Sequence, residues 1–305
     1  MVYNIDFLIA AMVILLLVLW YFLGQKRAED LNNQVFLFFA ILGSMDVVAE
    51  LISNYYITSE NSDFGIAATL ATTVFYLLQA LLPFILICYI RTLHDHKIVS
   101  LKKMWLSGFP TLVLAGIVLT NPFTGKLFYF DVSAGYVKGP WYMLMYYSTI
   151  CHLLAAMMLA MHWRKDLGAR KIKVLLEILV LSGGGVVIQL LYHPILTTGF
   201  GLSLGILALF ITINNPRANM DSLTGVYNHF YLTRKSNELI AGGKAFHIIT
   251  VYLYRLKHIN KITGIQGGDH MLQLTAGRLA ELCGKKVFRI TGKTFSGADR
   301  FPGRI

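Results

Sequence analysis

Seven apolar runs, each close to the length of a bilayer crossing, constrain this chain more than any other feature. They lie at residues 7–23, 35–52, 66–90, 104–119, 141–161, 174–192 and 195–213. A transmembrane helix takes about 17 to 25 mostly apolar residues. Hydrocarbon offers no water to the backbone, so each run must satisfy its own N–H and C=O groups, which predicts helices rather than barrel strands. The composition agrees: 56% of residues are hydrophobic, 14% are charged and the mean hydropathy is +0.59, far from the balance of a water-soluble domain. The first run has neither a basic leader nor a small-x-small cleavage site, which argues for a span over a removable signal peptide.

Orientation follows from the cations between the runs. The connections after runs one, three and five carry Lys26, Arg27, Arg91, Lys97, Lys102, Lys103, Arg164, Lys165, Arg170, Lys171 and Lys173, whereas the opposite connections carry only Lys126 and Lys138, with none near the N-terminus or around His193. Short loops rich in Lys and Arg stay in the cytosol. The asymmetry predicts an outside N-terminus and a cytosolic chain from Asn214 onward. Most of the net charge of +11 lies in those loops, where the anionic lipid bilayer is the partner it fits, and no nucleic-acid partner is expected. Cys88, Cys151 and Cys283 show no C-x-x-C spacing, so neither a zinc site nor a disulfide framework is supported; they read as small apolar fillers.

Polar residues inside the runs are candidates for function. Asp46 and Glu50 are four residues apart and project from one helical face. Each carboxylate costs about 2.5 kcal/mol or more at that depth, so the pair needs a partner, with His152 and Gln79 as candidates. Two readings stand: a proton, ion or small-ligand site, or a structural contact that fixes helix packing. The outer segment 121–141 carries Phe123, Phe128, Tyr129, Phe130, Tyr136 and Trp141, as interfacial anchors or as the cap of an extracytoplasmic ligand pocket. Gly183, Gly184 and Gly185, then Gly199, Gly201 and Gly205, the last two as G-x-x-x-G, allow close helix approach, either as packing within the bundle or as a shift of the last run that links it to the segment that follows.

The stretch Asp221-Ser222-Leu223-Thr224-Gly225-Val226-Tyr227-Asn228 follows the last run and resembles the opening D-x-L-T-G-x-x-N motif of GGDEF domains, the diguanylate cyclase superfamily. The resemblance continues. Residues 221–239 read as the opening helix, 247–254 as a strand, 268–282 as a helix with apolar residues at helical spacing, and 286–290 as a second strand before a turn at Thr291-Gly292. The family's D-x-D-x-F-K-x-x-N-D segment falls on Tyr252 to Lys261, and its G-H-x-x-G-D segment on Gly264 to Asp269. Asn260 and Asp269 match the positions that contact guanine in the family, where an amide and a carboxylate pair with the base edge. Lys257 matches a basic position on the phosphate side. The alternative for Asn260 and Asp269 is an ordinary turn and helix-cap role.

The same resemblance implies lost chemistry. Tyr252 stands where the family has a metal-binding aspartate. The R-x-G-G-D-E-F hairpin becomes Arg289-Ile290-Thr291-Gly292-Lys293-Thr294-Phe295, so Lys293 and Thr294 replace both acidic residues. The product-inhibition motif R-x-x-D would fall on Leu282-Cys283-Gly284-Lys285 and is absent. Gly292-Lys293-Thr294 is no P-loop, because Val287 stands where that motif needs glycine. Residues 221–305 number 85, about half of what the family's domain needs, and 295–305 show no clear period, which implies a truncated domain.

The expected architecture is an α-helical polytopic membrane domain of about seven transmembrane helices over 1–213, a linker at 214–220, and a partial, degenerate α/β GGDEF-like (nucleotide cyclase) domain over 221–305. Its expected place is the bacterial cytoplasmic (inner) membrane. Two functions are open. One is a membrane sensor in cyclic di-GMP signalling whose output domain has no catalytic residues, no metal ligands and no cofactor, with a small extracytoplasmic or intramembrane ligand, GTP and a second copy of the chain as candidate partners. The other is an active diguanylate cyclase that uses Mg²⁺ and two GTP, or the N-terminal part of a longer GGDEF-phosphodiesterase protein.

Overall fold

Each of the seven apolar runs forms a helix, and the chain divides into two units at Asn214/Asn215. The computed structural model describes residues 4–24, 31–58, 65–95, 101–131, 135–192, 194–213, 219–241, 247–283 and 286–299. Lys26, Arg27, Lys97, His193, most of the 214–220 linker, Gly284, Lys285 and 300–305 lie outside the described residues.

The N-terminal unit contains α1 (Asp6–Gly24), α2 (Leu31–Thr58), α3 (Gly65–Asp95), α4 (Leu101–Thr124), α5 (Met143–His162), the short α6 (Arg164–Leu167), α7 (Ala169–Leu191) and α8 (Thr198–Thr212). By length and composition α1, α2, α3, α5 and α7 can cross a membrane; α8, with 15 residues, is shorter. Among the described residues five spans are therefore supported where hydropathy alone predicted seven. Pro83 sits inside α3, and Pro110 and Pro122 inside α4, which membrane helices tolerate when neighbours satisfy the freed carbonyls.

The core of this unit is mostly aliphatic, with aromatic rings packed together within it. Phe22 and Phe36 are fully buried with ring centroids 5.0 Å apart, and Phe210 stacks on Phe36 at 6.4 Å. Between α4 and α5 the chain forms an antiparallel hairpin, β1 (Phe128–Asp131) and β2 (Gly135–Lys138). Asn121 ties it to the end of α4: its Nδ2 donates to the Phe128 carbonyl at 2.9 Å, and its Oδ1 accepts from the Leu127 N–H at 2.7 Å. Phe128 is buried while Phe123 is 91% exposed, so the aromatic segment divides into inward packing and outward rings.

Helices α7 and α8 approach backbone to backbone. A methyl on Gly201 would overlap the Leu181 carbonyl, and one on Gly185 would lie 2.6 Å from the Thr197 carbonyl. Gly205 lies against Ile178. The G-x-x-x-G pair is thus used inside the unit. The cysteines differ from their expected role in one case: Cys88 is half-buried, but Cys151 is exposed on the helical surface.

The C-terminal unit is a four-stranded sheet with two helices: β3 (Tyr227–Asn228), α9 (His229–Ala241), β4 (His247–Tyr252), α10 (Leu256–Leu282), β5 (Val287–Thr291) and β6 (Thr294–Asp299). Strand order is β3-β5-β6-β4, with β3 parallel to β5 and the other pairs antiparallel. Leu272, Ala276, Val287 and Phe295 form its core.

Three expectations need correction here. The helix expected from residue 221 begins at His229, because the Asp221 side chain captures Thr224 and turns the chain, a local bond that competes with helix formation. The helix expected from 268 begins at Leu256 and is kinked at Gly264, whose φ of 77° breaks the helical run. Of the segment without period, the described residues up to Asp299 belong to strand β6. It lies between β4 and β5, and Phe295 and Ser296 are both buried, so the alternation that marks a half-exposed strand is missing.

Candidate functional site

In the α/β unit the opening motif and the hairpin are joined by one ion pair. Arg289 Nη1 donates to Asp221 Oδ1 at 2.9 Å, and Nη2 donates to the Gly292 carbonyl at 3.0 Å. The same Asp221 oxygen accepts from the Thr224 N–H at 2.9 Å and the Thr224 hydroxyl at 2.7 Å. A register shift between Arg289 and Thr291 bends the hairpin, as a β-bulge does when it re-aims a side chain. Partial burial pushes the Asp221 carboxyl up, but the hydrogen bonds from Thr224 and Arg289 outweigh it and hold the group below the usual aspartate range. Asn228 caps α9: its Oδ1 accepts from the Tyr231 N–H at 3.1 Å, while Nδ2 donates to the Met220 carbonyl at 3.3 Å. The polar residues Asp221, Thr224 and Asn228 of the motif therefore hold the β3–α9 corner against β5.

Asn260 and Gly268 meet across the Gly264 kink. The Asn260 side chain packs so closely on Gly268 that a methyl there would overlap Asn260 Oδ1. That oxygen is buried and accepts no hydrogen bond, although the residue is half-buried as a whole. Asp269 follows directly and is also half-buried, while Lys257 is exposed one turn before Asn260. The kink thus brings the two candidate base-contacting segments together.

The hairpin turn lies beside the end of β4. Tyr252 is the register partner of Thr294, the Leu253 N–H donates to the Lys293 carbonyl at 2.9 Å, and Lys293 Nζ lies 4.7 Å from the centroid of the Tyr252 ring. A phenol, an ammonium and a hydroxyl share this corner. Gly292-Lys293-Thr294 forms a hairpin between antiparallel strands, unlike a phosphate loop that opens a helix.

In the helical unit Asp46 and Glu50 are 2% and 1% exposed, each with one buried carboxylate oxygen that lacks a hydrogen-bond partner. His152 is engaged elsewhere: its Nε2 is 2.9 Å from the Thr111 hydroxyl and its Nδ1 is 2.7 Å from the Ser148 carbonyl. Sequence spacing could not reveal the Thr111 bond, because Thr111 lies on another helix. Glu50 lines a cavity of about 60 Å³ together with Gln79 and Gln189. Gln189, absent from the sequence-derived candidates, hydrogen-bonds Glu50, and its Oε1 accepts from the Thr197 and Thr198 N–H groups at 3.0 and 2.9 Å. A polar residue three positions from the end of a predicted span was the available signal. Asp46 does not line the cavity.

Residues 218–296 match the family model described as diguanylate cyclase, GGDEF domain. No curated protein matches the chain. The matched segment covers the Asp221–Arg289 ion pair, the Asn260–Gly268 contact and the hairpin. Residues 218–296, about a quarter of the chain, are thus similar to the GGDEF domain of diguanylate cyclase-family signalling proteins, and the helical region bears five helices long and apolar enough to cross a membrane.

Proposed function

We propose that this protein is a multi-pass sensor of the bacterial cytoplasmic membrane whose GGDEF unit signals or binds without making cyclic di-GMP. The contact of Lys293 with Tyr252, opposite Thr294, carries this reading. Nucleotidyl transfer rests on positioning and on metal-assisted neutralisation of charge. Mg²⁺ selects oxygen ligands, chiefly carboxylates, and the phenol, ammonium and hydroxyl at this corner do not fit it. Full-length protein in lipid nanodiscs, supplied with GTP and Mg²⁺, is expected to yield no cyclic di-GMP by chromatography. Product formation would establish the alternative, an active cyclase.

The membrane reading includes seven crossings, an outside N-terminus and a cytosolic Asp221, supported by the Lys/Arg asymmetry. Compartment-specific reporters fused at each end test it, and a cytosolic N-terminus would refute it.

Retained guanine binding without catalysis is a second reading, favoured by the approach of Asn260 to Gly268, the residue before Asp269. GTP binding should then be weak, independent of metal, and lost in an Asn260→Ala plus Asp269→Ala variant, since base-edge hydrogen bonds would disappear. Equal binding by the variant would identify both residues as structural.

A further inference from the structure

The cavity beside Glu50 is lined by groups of both charge signs. Its wall includes one carboxylate, Glu50, and one ammonium, Lys138, placed on different elements, α2 and β2. Glu50 is 1% exposed and its Oε1 has no partner. A buried acceptor left unpaired is costly, and a donor from a ligand would satisfy it. Gln189 hydrogen-bonds Glu50, with its own amide oxygen held by the Thr197 and Thr198 N–H groups, and still leaves Oε1 unpartnered.

Aromatic rings complete the wall. The hydroxyls of Tyr76 and Tyr136 are 2.7 Å apart and those of Tyr142 and Tyr146 are 3.1 Å apart, so the tyrosines form two braced pairs around the cavity. Lys138 Nζ already lies 4.5 Å from the centre of the Tyr142 ring, evidence that this wall accepts an ammonium group by cation–π attraction. A volume of about 60 Å³ holds about four to six water-sized groups, at roughly 10 to 15 Å³ each. The lining comes from the C-terminal halves of α2 and α7, the N-terminal ends of α3, α5 and α8, and the β1–β2 hairpin, so the cavity sits at one end of the bundle.

We propose that this cavity binds a small zwitterion of the amino-acid class, about the size of glycine or alanine, with its ammonium on Glu50 and its carboxylate on Lys138. The proposal deepens the sensor reading of the helical unit, yet binding is measurable whether or not the output unit responds.

Full-length protein in nanodiscs is titrated calorimetrically with small amino acids, with alkylamines that lack a carboxylate, and with carboxylates that lack an amine. A zwitterion is expected to bind at least about tenfold tighter than either half-ligand, because each charged hydrogen bond contributes about tenfold or more. Glu50→Gln and Lys138→Gln should each weaken zwitterion binding by about tenfold or more. Lys138 lies at the exposed end of β2, so its variant tests the site without burdening the core, and the ligand-free thermal midpoint of each variant confirms folding. Absence of zwitterion binding by the folded parent would overturn the proposal. So would amine binding as tight as zwitterion binding, or a Lys138→Gln variant with unchanged affinity. If binding holds while reporters place this end of the bundle in the cytosol, the topology fails and the site stands.

Discussion

The two units treat their carboxylates in opposite ways. In the helical unit Asp46 and Glu50 are buried to within 2% with oxygens left unpartnered, a costly arrangement within a membrane span. In the α/β unit Asp221 is bound by Arg289 and Thr224, while the corner where the family resemblance expects acidic residues holds Tyr252, Lys293 and Thr294. Unpaired buried polarity is tolerated where something else can arrive to satisfy it, whereas a fully bonded ion pair holds a scaffold. The contrast is the reason reception is proposed for the first unit, while the motif's Asp221, Thr224 and Asn228 serve the architecture of the second.

The largest effect should come from the ion pair. Asp221→Ala leaves Arg289, only 12% exposed, without its partner, and removing one member of such a pair costs about 3 kcal/mol. Hydrogen exchange of full-length protein should show protection in β5 and β6 reduced by about two orders of magnitude. Unchanged protection would mean that the hairpin is held by its apolar core alone. A smaller loss, about 2 kcal/mol from overpacking, is expected for Gly268→Ala, whose methyl would overlap Asn260 Oδ1. Combining it with Asn260→Ala should recover most of that loss, and additive losses would show that the two side chains do not meet.

The contrast reverses in the membrane. Asp46→Asn with Glu50→Gln should leave insertion intact and hold or raise stability by about 1 kcal/mol, since neutral amides cost less to bury than carboxylates, while any ligand response changes. A lower thermal midpoint in detergent, with an unchanged response, would make the pair a structural contact. The smallest effect concerns pH. The Asp221 carboxyl lies below its usual range in the folded unit, so its contribution is fully present above about pH 4 and is lost as pH falls through the folded value. Protection of β5 and β6 should fall with acidification below about pH 4, and Asp221→Asn should flatten that dependence.

Local sequence made several of these features legible. The apolar runs dictated helices, because hydrocarbon leaves a backbone no other way to pair its polar groups, and the D-x-L-T-G-x-x-N stretch located the α/β unit. The buried depth of Asp46 and Glu50 also followed from their place in a run. Even so, the motif did not reveal that Asp221 would turn the chain and delay the helix to His229, since side-chain capture of Thr224 competes with helical hydrogen bonds.

What tertiary structure alone decided is which polar groups meet. Asp221 and Arg289 are 68 residues apart, Thr111 and His152 are 41 apart, and no local periodicity encodes either pairing. The same holds for the separation of roles between neighbours: Glu50 lines a cavity together with Lys138 and Gln189, while Asp46, one turn earlier on the same helix, does not. Strand β6 belongs here too, since burial of both Phe295 and Ser296 removes the alternation a sequence displays. Backbone satisfaction is a local demand and can be read from composition along the chain. Side-chain satisfaction depends on partners brought near by folding, and only the folded arrangement specifies them.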